Sequence, residues 1–173
     1  MGKFPKKIKI PSWINMDEYQ WSAHYRVIHG NRNKNIWENE RRLYNVLKKS
    51  HKVFHHVYFV NDDNTVIPYE YDFYLPDDNI VVEYNGREHY DPWAVFHDDI
   101  FSFLRKVSSD MEKIKIAYER GLRYVPISYD DVISKSTVER ALKHYKSIED
   151  VLSHYIRRYA DCLKIPEKDL QIL

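Results

Sequence analysis

Apolar and polar positions along this chain change period several times, and the changes set out its elements. Over Asn35–Lys49, Ile36, Leu43, Val46 and Leu47 recur at helical spacing, while Glu38, Glu40, Arg41, Arg42 and Lys48 fall mostly on other faces; a first helix is expected there. Three short runs rich in β-branched and aromatic residues follow: Val53–Val60, Thr65–Leu75 and Asn79–Tyr84. Asn-Asp-Asp-Asn and Pro-Asp-Asp separate them, turn chemistry that predicts an antiparallel meander. Gly86 breaks the third run directly after Asn85. From Ile100 to Arg120 the helical spacing returns through Phe103, Val107, Met111, Ile114 and Tyr118, and Gly121 stands where a helix C-terminal glycine belongs. Arg123–Tyr129 alternates as a fourth strand, with Pro126 pointing to an edge or a bulge. Two helical stretches, Lys135–Lys146 and Ser147–Leu163, complete the pattern. The first part of the chain, roughly up to Gly30, has little periodicity and reads as an extended arm with at most one short helix.

This order predicts an α/β domain. Its mixed β-sheet would combine a three-strand antiparallel meander with a crossover strand, flanked by helices. Residues 1–34 would be a basic N-terminal arm, 35–131 the core, and 132–173 a helical extension of the same domain. A length of 173 residues suits one core, and 43% hydrophobic with 15% aromatic content argues against disorder. No apolar run approaches the ~20 residues of a membrane helix. The opening MGKFPKKIKIP is charged rather than apolar, unlike a secretory signal. A single cysteine, Cys162, excludes an internal disulfide and a multi-cysteine zinc site, so an intracellular, cytoplasmic setting is expected.

Charge changes the picture only when it is split. The formal total is +1, yet residues 1–52 hold 12 basic and 4 acidic side chains, residues 53–99 hold 1 and 11, and residues 100–173 hold 14 and 11. The acidic centre contains the most informative spacing. Asp72 lies within YDFYLP and Glu83 within NIVVEYNG, on adjacent strands of the expected meander, where such positions come side by side. Glu83 interrupts an apolar run, where a charge is costly unless paired or metal-bound. Two converging carboxylates form a hard-oxygen pocket suited to Mg²⁺ or Mn²⁺. His51, His55 and His56 lie without a Cys or Asp partner in the sequence around them, and packing with solvation is the expectation for them. In His97-Asp98-Asp99 a helix N-terminal cap accounts for the acids more simply than a second metal.

The Asp…Glu-x pattern resembles the PD-(D/E)XK nuclease superfamily. More narrowly, YDFYLPDDNIVVEYNGREHY, then EKIKIAYERG, then RYVPISYDD is similar to phage-type and homing-type endonuclease domains distantly related to very-short-patch repair nucleases. The resemblance covers residues 36–131 and implies a restriction-endonuclease-like core, Mg²⁺-dependent hydrolysis of DNA phosphodiesters with Mn²⁺ able to substitute, and a bacterial or phage-borne origin. It implies Asp72 and Glu83 as metal ligands, aided by the Tyr84 carbonyl and by Glu40, with Glu38 competing for that last place. Asn85 stands where the superfamily has lysine, and Lys115 in the EKIK step would be the lysine moved to the helix. His89 would act as a base or support another ligand. Lys3, Lys6, Lys7, Lys9, Arg26, Arg32, Lys34, Arg41, Arg42 and Arg87 would grip the DNA backbone. Two alternatives stay open: a nuclease fold that binds DNA without cutting it, and a homodimeric Holliday-junction-type resolvase whose stripe of Leu142, Tyr145, Ile148, Leu152 and Tyr155 forms the interface.

Overall fold

The expected meander is preceded by a hairpin that the periodicity did not announce. The structure, a computed structural model, describes residues 19–22, 24–30, 37–94 and 98–170, Tyr19 through its backbone alone. Its elements are β1 (Tyr19–Trp21), β2 (Arg26–His29), α1 (Glu38–Leu47), β3 (Phe54–Phe59), β4 (Tyr71–Leu75), β5 (Ile80–Asn85), α2 (Ile100–Glu119), β6 (Arg123–Ser128), α3 (Lys135–His144) and α4 (Ile148–Leu163), with 3₁₀ turns at Arg87–His89 and Glu167–Asp169. The strands form a six-stranded mixed sheet ordered β1-β2-β3-β4-β5-β6, so the fold is α/β with four helices. The chain divides into two compact units, Met1–Val82 and Glu83–Leu173. No helix among the described residues is long and apolar enough to cross a membrane.

In the first unit, the arm reading is corrected over residues 19–29. Ser22 closes a hairpin there: its amide donates to the Tyr25 carbonyl at 2.9 Å, and its Oγ accepts from the Tyr25 amide at 2.7 Å. The register pairs Tyr19 with Ile28 and Trp21 with Arg26, and β2 then joins β3 through Val27↔Phe59 and His29↔Val57. β2 is thus an interior strand, and Val27 and Ile28 are fully buried. Strands of three and four residues are too short to display a period. The expected second strand over Thr65–Leu75 is also shorter: β4 begins at Tyr71, because Pro68 has no N–H for a ladder, leaving only a Val60↔Val66 bridge ahead of it. The turn to β5 runs through Asn79 at φ 55°, a left-handed geometry that asparagine tolerates. The hairpin register is Leu75↔Ile80, Tyr74↔Val81 and Phe73↔Val82. Leu43 and Leu47 of α1 are buried, as is a knot of edge-on rings, with Phe59 against Tyr71 at 5.3 Å and Tyr74 at 5.2 Å.

The second unit is built on α2, β6, α3 and α4. Asp99 caps α2 by accepting from the Ser102 amide at 2.7 Å, the role expected of it, and Gly121 leaves the helix at φ 73°. Ser134 caps α3, and Ser147 with Asp150 forms a reciprocal capping box on α4. β6 stands last in the sheet order, an edge where the missing N–H of Pro126 is tolerated. α2, α3 and α4 all pack on β6, burying Ile114, Val125, Val138 and Val151. Leu142 and Tyr155 of the C-terminal stripe are buried in this unit, and Tyr145, Ile148 and Leu152 are half-buried.

Candidate functional site

Among the described residues, buried charged side chains gather in two groups, one in each unit. The first gathers around β3 and is unusual because neighbouring histidines point the same way. Successive side chains of a strand normally alternate between faces. His56, however, has φ 49°, and its ring stands 3.9 Å from that of His55, centroid to centroid. The ladder continues on either side, His55↔Phe73 and Val57↔Tyr71, leaving His56 opposite Asp72. A left-handed non-glycine residue inside a strand costs of order 1 kcal/mol or more, which surrounding contacts must offset.

Those contacts are mostly carboxylates. His55 Nε2 lies 2.9 Å from Glu40 Oε1, and His56 Nε2 approaches the same oxygen at 2.9 Å. The second approach is off the line of a hydrogen bond, so His56 Nε2 is buried without a hydrogen-bond partner. On the other side of the ring, Nδ1 lies 2.9 Å from Glu70 Oε1, and Tyr58 OH donates to Glu70 Oε2 at 3.0 Å. Gly30 makes room, since a Cβ there would stand 2.5 Å from Glu70 Oε2. The His55 ring is stacked on Phe73 at 5.0 Å and flanked by Tyr44 at 5.5 Å, which fixes its plane. Burial opposes ionisation of Glu40, but the close contacts and positive charge of His55 and His56 outweigh it and hold the carboxyl at about 2. Burial likewise opposes protonation of His56, yet Glu40 and Glu70 raise it to about 9. The donor atoms of Glu40, His55 and His56 lie within 4.8 Å of one another, as do those of His56, Glu70 and Asp72.

The second group belongs to the Glu83–Leu173 unit. Glu83 is 3% exposed and its Oε2 accepts from Lys113 Nζ of α2 in a close ion pair. Nearby in sequence, His89 Nδ1 lies 2.8 Å from Asp110 Oδ2, and Lys106 Nζ lies 3.5 Å from Asp110 Oδ1. Asp110 is fully buried; burial alone would raise its carboxyl, but the neighbouring His89, Lys106 and Lys113 lower it. Asn85, also fully buried, donates from Nδ2 to Tyr90 OH at 2.9 Å and Tyr155 OH at 2.7 Å. Tyr90 OH in turn contacts Ser128 Oγ at 2.9 Å and His154 Nε2 at 3.0 Å.

The residues singled out in the sequence are thus distributed unevenly. Glu40 is the inward glutamate of α1, whereas Glu38 is exposed and paired with Arg42 one turn on. Asp72 is half-buried beside His56, and Tyr84 is half-buried on β5. The lysine that reaches Glu83 is Lys113, and Lys115 is exposed. Both belong to EKIK, but helix phase sets Lys113 three residues after Asp110 and four before Ala117, on the buried face. His55 and His56 do have acidic partners, contrary to the packing-and-solvation reading; the carboxylates come from α1 and from beyond a loop. Glu70, spaced two residues from Asp72, could have been found by that strand-like spacing. Of the basic positions, Arg26 is held by Asn64 Oδ1 at 2.6 Å and the Asn61 carbonyl at 2.7 Å, and Arg87 by Asp91 at 2.7 Å. Arg41 is exposed. Lys3, Lys6, Lys7, Lys9, Arg32 and Lys34, with His97, lie outside the described residues. No family model, no curated protein and no solved structure matches the chain.

Proposed function

We propose that this protein is a metal-dependent DNA endonuclease on a restriction-endonuclease-like core. The reading rests on the buried Glu83–Lys113 pair, a strand-end carboxylate beside a lysine from the following helix. In a phosphodiesterase lacking the strand lysine, this amine would offset the negative charge that builds up on phosphate. Carboxylates such as Glu40, Asp72 and Glu83, and a backbone carbonyl such as that of Tyr84, are the kinds of oxygen donor that Mg²⁺ or Mn²⁺ takes. Such an ion would supply Lewis-acid stabilisation and a more acidic water. In this scheme Lys113 orients the phosphate. His89, held through Nδ1 by Asp110, takes the proton from the attacking water. The basic segment before α1 carries the DNA backbone.

One observation favours a second reading, a nuclease fold that binds DNA without cutting it. Asn85, in the motif-lysine place, is committed to buried bonds with Tyr90 and Tyr155. Both readings are tested with linear, nicked, mismatched, branched and single-stranded DNA in Mg²⁺ and Mn²⁺. Wild type, Asp72→Ala, Glu83→Ala and Lys113→Ala are compared. Metal-dependent cutting that all three substitutions reduce supports the enzyme. Cutting that survives both carboxylate substitutions sinks it, and DNA binding without cutting selects the second reading.

A further inference from the structure

We infer that Glu40, His55 and His56 form a mononuclear site for a nitrogen-seeking divalent transition metal, Zn²⁺ foremost, with Glu70 and Tyr58 orienting the His56 ring. The site shares Glu40 with the nuclease reading but stands without it, needing neither Glu83 nor Lys113.

Three donors converge. The His55 and His56 Nε2 atoms each stand 2.9 Å from Glu40 Oε1. Packing around a shared carboxylate is common enough, and a plain ion-pair network is the obvious rival. Two features argue for a ligand. First, His56 Nε2 is buried and stands 2.9 Å from Glu40 Oε1 without a well-aligned hydrogen bond, so hydrogen bonding alone does not account for its being placed there. Buried polar atoms are nearly always satisfied, and an orphan calls for an explanation. Second, the opposite ring nitrogen already has the support a metal-bound histidine requires. Nδ1 lies 2.9 Å from Glu70 Oε1, and Glu70 is itself held by Tyr58 OH at 3.0 Å. A metal-ligating histidine almost always donates its other N–H to a carboxylate, a backbone carbonyl or water, which sets the tautomer and ring orientation for binding through Nε2.

The donor set identifies the ion class. Two imidazoles and one carboxylate are a poor match for Mg²⁺, which prefers six oxygens, and a good match for Zn²⁺ or Co²⁺. Three protein ligands leave a position open for water or a substrate oxygen, the pattern of reactive zinc sites. The stacking of His55 on Phe73 and beside Tyr44 holds its ring without using its nitrogens. Glycine at position 30 keeps space open for Glu70. The left-handed His56 that brings both rings to one side is accounted for by the same site.

The test uses the full chain stripped with chelator and needs no DNA, so failure of the nuclease reading does not touch it. Zn²⁺ titrated in a calorimeter should bind at one ion per chain. Co²⁺ should give visible absorption that Zn²⁺ displaces and excess Mg²⁺ does not. His55→Ala and His56→Ala should abolish the Co²⁺ spectrum. Glu70→Gln should keep the spectrum but weaken Zn²⁺ by about 10–100-fold, as for a residue that positions a ligand. Should the histidine variants misfold, imidazole NMR of wild type decides: Co²⁺ must shift the His55 and His56 ring signals and spare the exposed His144. The inference is overturned if folded wild type takes up no Zn²⁺, if uptake survives loss of both histidines, or if their ring signals do not respond at saturation.

Discussion

Replacing Lys113 by methionine removes one charge from the Glu83–Leu173 unit while keeping the side chain's length and most of its volume. The Glu83 side chain is 4% exposed and that of Lys113 is 10% exposed, so the surviving carboxylate has little access to water. Breaking a buried ion pair from one side costs about 3–5 kcal/mol. Protonation sets a ceiling, because a buried glutamate that has lost its lysine can take up a proton. From an unfolded value of about 4.3, that costs about 3.7 kcal/mol at pH 7 and about 1 kcal/mol at pH 5. The deficit of Lys113→Met in chelator is therefore about 3–4 kcal/mol at pH 7, falling toward about 1 kcal/mol at pH 5. For a chain of this size the pH 7 figure lowers Tm by roughly 6–16 °C. Adding Glu83→Gln removes the uncompensated charge and should return the double variant to within about 1 kcal/mol of wild type. Urea unfolding followed by far-UV circular dichroism at both pH values measures all three proteins. A deficit below 1 kcal/mol at pH 7, or one equal at both pH values, refutes the reasoning.

Two further outcomes follow from the second unit. Burial first, then the charges of Arg158 and Arg157, depress His154 to about 4, against the pull of Asp130. Its neutral form is favoured in the folded state, so its contribution is complete above the unfolded value of about 6.5 and is lost as pH falls toward 4, up to about 3 kcal/mol. His154→Gln should flatten that part of the Tm–pH profile, and an unchanged profile counts against the assignment. Asn85→Leu leaves the Tyr90 and Tyr155 hydroxyls without their shared donor and should cost about 2–3 kcal/mol by urea titration, whereas a loss under 0.5 kcal/mol would mean that the network is dispensable.

Elements with a strong period were legible in advance. α1, α2 and β6 fall within three residues of their expected ends, because ten or more residues of helical spacing, or a strand flanked by Gly121 and a turn, leave little choice. β1 and β2 were hidden because three or four residues cannot display a period, and what orders them is Ser22 and the exposed ladder edge of β3. The candidate metal centre was legible in part. Glu40 and Asp72 could be singled out by type and spacing. The convergence of His55 and His56 depends on a left-handed backbone at His56, which histidine does not announce. The choice of Lys113 over Lys115 depends on the phase of α2 about its axis. The spacing of apolar residues fixes that phase only to within a residue or two.

The central claim is that this chain cuts DNA with a divalent ion. It is tested most directly by incubating supercoiled plasmid with wild type and Asp72→Asn in Mn²⁺, and with wild type in chelator. The account predicts nicked or linear product from wild type in Mn²⁺ alone. Equal cutting by Asp72→Asn, cutting in chelator, or intact plasmid from folded wild type in Mn²⁺ would contradict it.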